Sequence, residues 1–259
     1  MIRLIQGDCI PVMQELSTEN IKVDLILIDP PYENTTNHWD KYIPIEEMWN
    51  CIKELRNDTT PIVIFGSEPF SSHLRLSNLK EYRYDWIWKK SNSGSIGIAK
   101  YQPMRYHELI SVFYKKWGQY YKQMIPRESP RIRQGIRTGW GLDPIPPKGL
   151  MEGNQNIHVD ASKYSPDVKN PSSVLEFNSI KGNSKEKVAH PTQKPVKLLE
   201  YLIKTYTNEG DLVLDFCMGS GSTGVACSNL NRDFIGIELD EDYYKLAKER
   251  LYSSQQRLL

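Results

Sequence analysis

A carboxylate, two prolines and a phenol follow one another after a short apolar stretch near the amino terminus. The tetrapeptide is Asp29-Pro30-Pro31-Tyr32, and it ends the run from Val23 to Ile28. A buried strand cannot continue through two prolines, so the chain must leave the sheet in an extended turn, with Asp29 at a strand's carboxyl end. A carboxylate held there can accept protons from an amine, and the aromatic ring can stack on a planar group. The structural alternative is a rigid turn with a surface tyrosine.

A second group of residues predicts a nucleotide-like ligand. The pattern Gly219-x-Gly221-x-x-Gly224 stands between a predicted strand that ends in Asp215 and Phe216 and a predicted helix. Glycines in such a turn let the backbone approach a ligand closely. The next predicted strand ends in Glu238, whose carboxylate can accept hydrogen bonds from ribose hydroxyls. A tight turn without a ligand is the structural alternative, and an NAD-binding domain shares this geometry.

The elements that must position these residues follow from the hydrophobic pattern. Apolar runs of strand length alternate with stretches of helical periodicity, which predicts a parallel α/β sheet with helices on both faces. The predicted strands span 2–5, 23–28, 62–65, 84–88, 108–114, 212–216 and 234–237, and the predicted helices span 10–16, 45–55, 195–206, 223–229 and 241–251. One strand and one helix follow the glycine turn, so the rest of the sheet must come from the amino-terminal region. Ligands of such sheets bind beyond the carboxyl ends of the strands.

The segment from Trp117 to about Lys187 differs from the rest of the chain. It is rich in proline and glycine and has no sustained periodicity, so it is too long to be an ordinary loop. Between residues 117 and 141 five basic residues stand against one acidic residue, a net charge of +4. We therefore expect one domain formed by 1–116 and 188–259, and an insertion at 117–187. A basic arm suits contact with nucleic acid phosphates, and a solvated loop is the alternative.

Composition sets wider limits. The 259 residues are 39% hydrophobic and 25% charged with a net charge of +1, as in soluble globular proteins. The apolar runs are shorter than the roughly 20 residues that a membrane helix needs, and we expect no membrane partner. We found no secretory pattern, so we expect a cytoplasmic protein. The four cysteines form no Cys-x-x-Cys pair and are expected to be reduced, and no metal site is expected.

The tetrapeptide, the Phe216-x-x-Gly219-x-Gly221 turn and their order along the chain resemble the β-group DNA amino-methyltransferases. The resemblance covers most of 1–116 and 188–251 and leaves out the insertion. It implies a Rossmann-like methyltransferase sheet that is circularly permuted, with the insertion as a target-recognition region. It also implies S-adenosylmethionine as cofactor and double-stranded DNA as substrate.

The resemblance implies roles for the tetrapeptide. Asp29 and the carbonyl of Pro30 would accept protons from an exocyclic amine, whose lone pair is otherwise delocalised into the base. Tyr32 would stack on a base flipped out of the duplex, because an atom inside the duplex cannot be reached. Aspartate at the first position favours adenine N6 as the target, and cytosine N4 is the alternative.

Further residues are assigned to the cofactor by the same resemblance. In His190-Pro-Thr-Gln-Lys-Pro195 the candidates for the methionine carboxylate are Thr192, Gln193 and Lys194, although the segment could simply begin a helix. Asp8 would accept from the adenine amino group, with a plain turn aspartate as the alternative. The loop from Ser67 to Phe70 would line the other side of the cofactor. The expected cofactor-binding residues are Asp8, Asp29, Thr192, Gln193, Lys194, Asp215, Phe216, Gly219, Gly221 and Glu238.

DNA contacts are expected at two places. Lys89 and Lys90 end a predicted strand at the rim of the site, where phosphate contact is plausible. Trp39 would cover the target pocket or belong to the core. The basic residues expected to contact DNA from the insertion are Arg127, Arg131, Arg133 and Arg137.

Other functions remain as alternatives. Methyltransferases that act on RNA or on protein glutamine more often have asparagine at the first tetrapeptide position and an earlier glycine motif, so Asp29 and the permuted order disfavour them. A non-catalytic methyltransferase fold is disfavoured because the motif residues are intact. A homodimer and a cognate restriction nuclease fit the family, and no motif decides on either.

Overall fold

The computed structural model describes residues 1–32, 43–93, 96–127, 167–182, 184 and 186–256. The chain forms two compact units, of which the larger contains Met1–Tyr121 and Ser172–Leu259 and the smaller contains Lys122–Pro171. The smaller unit lies inside the range 117–187 expected for the insertion. It is shorter than that range because residues after Ser172 add a strand to the main sheet.

The regular elements follow one another along the chain. The strands are β1 (Ile2–Gln6), β2 (Leu25–Ile28), β3 (Ile62–Gly66), β4 (Tyr82–Lys89), β5 (His107–Phe113), β6 (Ile125–Pro126), β7 (Val168–Lys169), β8 (Val174–Glu176), β9 (Leu212–Asp215) and β10 (Asp233–Glu238). The helices are α1 (Cys9–Thr18), α2 (Ile45–Leu55), α3 (Phe70–Ser77), α4 (Val196–Tyr206), α5 (Ser222–Asn229) and α6 (Glu241–Gln256). Most bounds agree with the sequence prediction to within two residues, whereas α3, β6, β7 and β8 were not predicted.

The main sheet has the strand order β1-β10-β9-β2-β3-β5-β4-β8. β5 pairs antiparallel with β3 and β4, and the other strand pairs are parallel. The expectation of a wholly parallel sheet is therefore wrong for β5. The physical reason is the connection from β4: its described residues form only a short 3-10 turn at Ile96–Ile98, and strands joined without a crossover helix pair antiparallel.

The order of strands in space differs from their order along the chain. β9 and β10 come last in the sequence, yet they lie between β1 and β2. The carboxyl ends of the parallel strands lie at one edge of the sheet. The amino end of the antiparallel β5 reaches this edge as well. Residues that are far apart in the sequence are brought together there.

Helices cover both faces of the sheet. In β2, Leu25 and Leu27 pack into a core that includes residues of α4, α5 and α6. Their neighbours Ile26 and Ile28 pack into a second core with residues of α1, α2 and α3. A strand buried on both faces explains the uninterrupted apolar run of β2, and each fully buried side chain of this size contributes about 1.5–3 kcal/mol.

In the smaller unit, the described residues form a two-stranded antiparallel sheet from β6 and β7. The amide of Arg127 donates to the carbonyl of Asp167, 2.8 Å away. Arg131, Arg133 and Arg137 lie outside the described residues, as does Trp39 of the larger unit. A search of the described helices finds none with the length and apolar character needed to cross a bilayer.

Candidate functional site

A cavity of about 820 Å³ lies at the carboxyl edge of the sheet, within the larger unit. This volume is typical of pockets for small organic ligands, which span roughly 300–1,000 Å³. The whole tetrapeptide lines the cavity, as do all the expected cofactor-binding residues except Gly221. The fold therefore brings together two motifs that are 187 residues apart in the sequence, from Tyr32 to Gly219.

The tetrapeptide follows β2, and its prolines end the strand as the sequence predicts. The hydroxyl of Tyr32 donates a hydrogen bond to Oδ1 of Asp29. The Tyr32 ring packs on Phe70, with the ring centroids 5.0 Å apart. Phe70 supports Tyr32 from behind, but no residue of the loop from Ser67 to Phe70 is among the cavity's lining residues. This part of the expected cofactor wall is therefore not found.

Asp29 belongs to a buried cluster of charges. The ammonium of Lys194 forms an ion pair with Oδ2 of Asp29. The same ammonium lies 3.5 Å from Oε2 of Glu108. The other oxygen of Glu108, Oε1, accepts a 2.9 Å hydrogen bond from the ammonium of Lys90. Only 8% of the Lys194 side chain and 17% of the Glu108 side chain are exposed. Two carboxylates and two ammonium groups thus compensate each other in a poorly solvated site.

Burial and charge act in opposite directions on the pKa values of this cluster. Burial raises the pKa of Asp29 above its usual value, and the attraction of Lys194 only partly opposes that rise. Burial also acts to raise the pKa of Glu108, but Lys194 and Lys90 together hold that pKa below its usual value. The pKa of Lys194 is raised because its two carboxylate partners outweigh its burial. The cluster therefore shifts the pKa values of its two carboxyl groups in opposite directions, that of Asp29 upward and that of Glu108 downward.

Glu108 was not predicted as a site residue. It stands near the amino end of β5, and the sequence shows only a carboxylate at the start of an apolar run. Because β5 is antiparallel to β3, its amino end meets the carboxyl ends of the parallel strands. The sequence does show a charged residue in a strand that is mostly apolar. Whether that residue reaches the site depends on the direction of the strand, which the sequence does not reveal.

The three glycines of the turn have different physical roles. Gly219 has a left-handed backbone (φ 51°), and a Cβ placed there would lie 2.9 Å from Nε2 of His190. Gly221 is also left-handed (φ 72°), precedes α5 as its N-cap and faces Ala247 of α6. A Cβ on Gly224 would meet the ring of Phe234 at 2.7 Å. Gly221 thus turns the chain and lets α6 approach, and its contact with the cofactor stays a prediction.

Glu238 closes the glycine turn from the end of β10. Its Oε2 accepts from the Gly219 amide at 2.7 Å, and its Oε1 accepts from the Asp240 amide at 2.9 Å. A carboxylate oxygen can accept more than one hydrogen bond, so both remain able to accept from a diol. Burial raises the pKa of Glu238, and the two amides oppose that rise.

Asp215 ends β9 beside this turn, followed by the buried ring of Phe216. The Oδ1 of Asp215 accepts from the Cys217 amide at 3.0 Å. Burial raises the pKa of Asp215 to about 7, against the hydrogen bond from Thr223. Its carboxyl group therefore changes protonation near neutral pH.

Asp8 lies across the cavity and caps α1, because its Oδ1 accepts from the Ile10 amide at 2.9 Å. A capping role is what the alternative of a plain turn aspartate predicts. Asp8 also lines the cavity, so its contact with a cofactor stays a prediction.

The segment before α4 was expected to hold a carboxylate. Gln193 turns its side chain to its own loop, where it donates to the carbonyl of Glu186 at 2.7 Å and accepts from the amide of Val188 at 3.0 Å. Thr192 is exposed. His190, which was not singled out, packs on Tyr243 at 4.5 Å between ring centroids, and burial lowers its pKa to about 4. Gln193 thus shapes the loop, while Lys194 carries its charge into the cavity.

The two lysines at the end of β4 differ from one another. Lys89 is exposed and pairs with Glu176 at 2.9 Å. Lys90 points into the charge cluster and lies over the Trp88 ring at 5.8 Å. The sequence assigned both to phosphate contact, and the inward position of Lys90 favours a role inside the site.

The cysteines, all within the described ranges, are free thiols, as expected from their spacing. The described residues contain no group of three or more His, Cys, Asp or Glu side chains arranged to hold a metal ion.

Comparison with known proteins agrees with this geometry. A family model described as DNA methylase, of the N6/N4 type, matches residues 23–249. The Type II methyltransferase M.HpaI of Haemophilus parainfluenzae is 30% identical over 263 residues, which cover 97% of this chain and 74% of that protein. The DNA adenine methyltransferase YhdJ of Escherichia coli is 28% identical over 267 residues, which cover 96% and 82%.

Among solved structures, that of the M1.HpyAVI–SAM complex matches with a TM-score of 0.63 and 28% identity, and the match covers 97% of this chain and 100% of that chain. The fold class expected from the sequence is thereby confirmed. With a family match that spans most of its length and a tetrapeptide and glycine turn that share one cavity, this chain belongs to the DNA methylase family of N6 and N4 amino-methyltransferases.

Proposed function

We propose that this protein transfers a methyl group from S-adenosylmethionine to N6 of an adenine flipped out of double-stranded DNA. One observation carries the proposal: Asp29-Pro30-Pro31-Tyr32 and the glycine turn at Gly219 line the same cavity. A proton acceptor and a nucleotide-binding turn are thus within reach of a single reaction centre.

The cavity fits S-adenosylmethionine on features of its own. Gly219 has a backbone that no larger residue could adopt without meeting His190, so the main chain lies bare at the wall. Glu238, at the end of β10, is the proposed acceptor for the ribose hydroxyls, and Asp8 is the proposed acceptor for the adenine amino group. Phe216 would supply an apolar surface, and all three residues line the cavity. When bound, S-adenosylmethionine supplies an electrophilic methyl group on a sulfonium sulfur.

Asp29 is the proposed proton acceptor. The target amine becomes positively charged as it takes the methyl group, and a fixed carboxylate stabilises that charge and then receives a proton. The raised pKa of Asp29 brings it closer to neutral pH, where a general base works best. The carbonyl of Pro30 is the proposed second acceptor.

Tyr32 is the proposed stacking platform for the flipped base. Its ring is held by Phe70 and by its own hydroxyl, which donates to Asp29. Base stacking on an aromatic side chain contributes about 1–3 kcal/mol and offsets part of the cost of flipping.

Adenine is preferred to cytosine for two reasons. The first tetrapeptide residue is Asp29, and cytosine N4 enzymes of the family more often have serine there. In addition, one relative that spans most of the chain, YhdJ, is named as a DNA adenine methyltransferase. Cytosine N4 remains the second candidate target.

DNA recognition is assigned to the insertion within 117–187 and to the rim of the cavity. Arg127 lies in the smaller unit, where its Nε donates to the carbonyl of Val168 at 3.0 Å. Lys89, with most of its side chain at the surface, is the rim residue best placed for a phosphate. Contacts by Trp39, Arg131, Arg133 and Arg137 stay predictions, as do a homodimer, a cognate restriction nuclease and a cytoplasmic location.

The direct test is methyl transfer from labelled S-adenosylmethionine to unmethylated double-stranded DNA, followed by digestion to nucleosides. We expect the label in N6-methyladenine. Label in N4-methylcytosine would select the second candidate, and label transferred to RNA but not to DNA would overturn both.

The role of Asp29 is tested by Asp29→Ala. We expect a loss of transfer of roughly 100-fold or more, because the developing charge loses its acceptor. S-adenosylmethionine binding, measured by calorimetry, should change little. Asp58→Ala is the matched control, because Asp58 pairs with surface lysines and lies outside the cavity. An equal loss of cofactor affinity in Asp29→Ala would contradict the assignment.

A further inference from the structure

Two carboxylates share one ammonium in the site. Lys194 is paired with Oδ2 of Asp29, and Oε2 of Glu108 lies 3.5 Å from the same nitrogen. This Oε2 is a buried acceptor without a hydrogen bond of ordinary length from the described residues. The other oxygen of Glu108 is held by Lys90 at 2.9 Å, which fixes the direction of the carboxylate. Glu108 therefore offers a second, prepared position for the ammonium of Lys194.

Asp29 needs such a second position in order to act as an acceptor. Each of its oxygens already accepts a hydrogen bond, Oδ1 from the Tyr32 hydroxyl and Oδ2 from the Lys194 ammonium. Because the ammonium is positively charged, it makes Asp29 a weaker proton acceptor for an incoming amine than a neutral donor would. An ammonium released into a buried site without another acceptor would carry a large desolvation cost.

We infer that Glu108 is a positioning residue that receives the ammonium of Lys194 when the target amine enters, which frees Oδ2 of Asp29 for that amine. The inference rests on the proposed function, since it concerns how Asp29 becomes available. In this movement the ammonium of Lys194 leaves the carboxylate of Asp29 and pairs with that of Glu108. The net charge of the cluster is unchanged, and only hydrogen bonds are made and broken. Lys90 stays on Glu108 throughout and balances its charge.

The groups that face Asp29 determine how its protonation responds. They are Lys194 before α4, Glu108 on β5, Tyr32 in the same turn and Asp215 at the end of β9. The negative charge of Glu108 raises the pKa of Asp29, and Lys194 lowers it. Loss of the Glu108 charge therefore lowers the pKa of Asp29 and leaves Lys194 paired with Asp29 alone.

The test is Glu108→Gln in the full chain, with single-turnover methylation of DNA measured against pH. We expect a fall in rate of roughly 10- to 100-fold, because Asp29 stays paired with Lys194. The acid limb of the rate profile should move to lower pH, and the dissociation constant of S-adenosylmethionine should stay within about threefold. The matched control is Glu241→Gln, which removes a carboxylate from the exposed pair with Lys245 on α6 and should leave rate and profile unchanged.

A double-mutant cycle separates this mechanism from a structural role. If Glu108 acts through Lys194, the Glu108→Gln and Lys194→Met double variant should be no slower than Lys194→Met alone. Glu108→Asp keeps the charge and should restore much of the rate, and it provides a folded comparison should the glutamine variant lose stability. Additive losses in the cycle, or a Glu108→Gln profile with the acid limb unmoved, would overturn the inference.

The proposed function is judged separately by the unmodified protein. N6-methyladenine formed by that protein upholds the proposed function whatever the variants do, so a failed cycle then refutes the role of Glu108 alone. If the unmodified protein methylates no DNA, both proposals fall together.

Discussion

Gly219 is constrained both by its own backbone and by the residues around it. Its φ of 51° is unfavourable for any residue with a Cβ, and a Cβ would lie 2.9 Å from the His190 ring. His190 is in turn held against Tyr243. The position therefore disfavours even alanine, although the sequence alone indicates only a flexible turn.

Gly219→Ala should weaken S-adenosylmethionine binding by roughly tenfold or more, because the added methyl group either displaces His190 or shifts the turn. Calorimetric titration of the folded variant measures the effect. Gly182→Ala is the control, since a Cβ there meets nothing within 4 Å. Unchanged affinity in Gly219→Ala would show that the cofactor does not depend on this backbone.

At the scale of elements, α4 is fixed to the sheet by a buried polar contact. Tyr206, 1% exposed at the end of α4, accepts from the Trp86 indole at 2.6 Å and shares a 2.8 Å hydrogen bond with Tyr84. Both partners lie on β4. The helical spacing of α4 is plain in the sequence, but the strand on which it packs is not.

Tyr206→Phe should lower the free energy of unfolding by about 1–3 kcal/mol, because the Trp86 indole loses its acceptor in a buried place. Thermal or denaturant unfolding measures this, and cofactor binding should persist because Tyr206 does not line the cavity. Tyr252→Phe, at an exposed position of α6, should have almost no effect. Equal stability of the two variants would mean that the contact does not hold α4 in place.

The agreement between predicted and observed elements follows the strength of local signals. β2, β9 and α5 were predicted because their apolar runs, prolines and glycines act within a few residues. α3 was missed because its eight residues include serines, a histidine and an arginine, which leave little helical pattern. β8 was missed because a three-residue strand depends on pairing with β4 for its existence.

For the molecule as a whole, two buried groups make stability depend on pH in opposite directions. Burial raises the pKa of Asp215 to about 7, so the folded state binds its proton more strongly than the unfolded state. Stability from this group falls as pH rises from about 4 to about 7. Burial lowers the pKa of His190 to about 4. Stability from that group falls as pH drops from about 6.5 to about 4.

Asp215→Asn removes the pH dependence of stability that comes from Asp215 and leaves the one that comes from His190. The melting temperature of the variant should therefore fall more on acidification from pH 7 to pH 5 than that of the unmodified protein. Scanning calorimetry without cofactor is the measurement. Glu209→Gln, in the exposed turn before β9, should leave the pH dependence unchanged. Parallel curves for Asp215→Asn and the unmodified protein would contradict the raised pKa.

The sequence by itself determined what acts over short distances. Prolines after an apolar run place Asp29 at a strand end, and glycines between a strand and a helix predict a ligand turn. Backbone geometry and local sterics are sufficient for these two conclusions. The permuted order of the sheet was implied by the family resemblance, and the observed strand order agrees with it.

Only the tertiary structure decided which side chains meet. Glu108 reaches Lys194 because β5 runs antiparallel to its neighbours, and Gly221 lies against Ala247 because α5 and α6 pack together. The direction of β5 also explains why Lys90 points inward, because it brings the partner of Lys90, Glu108, beside it. Strand direction and long-range charge pairing depend on contacts across the whole chain, and no short stretch of sequence contains that information.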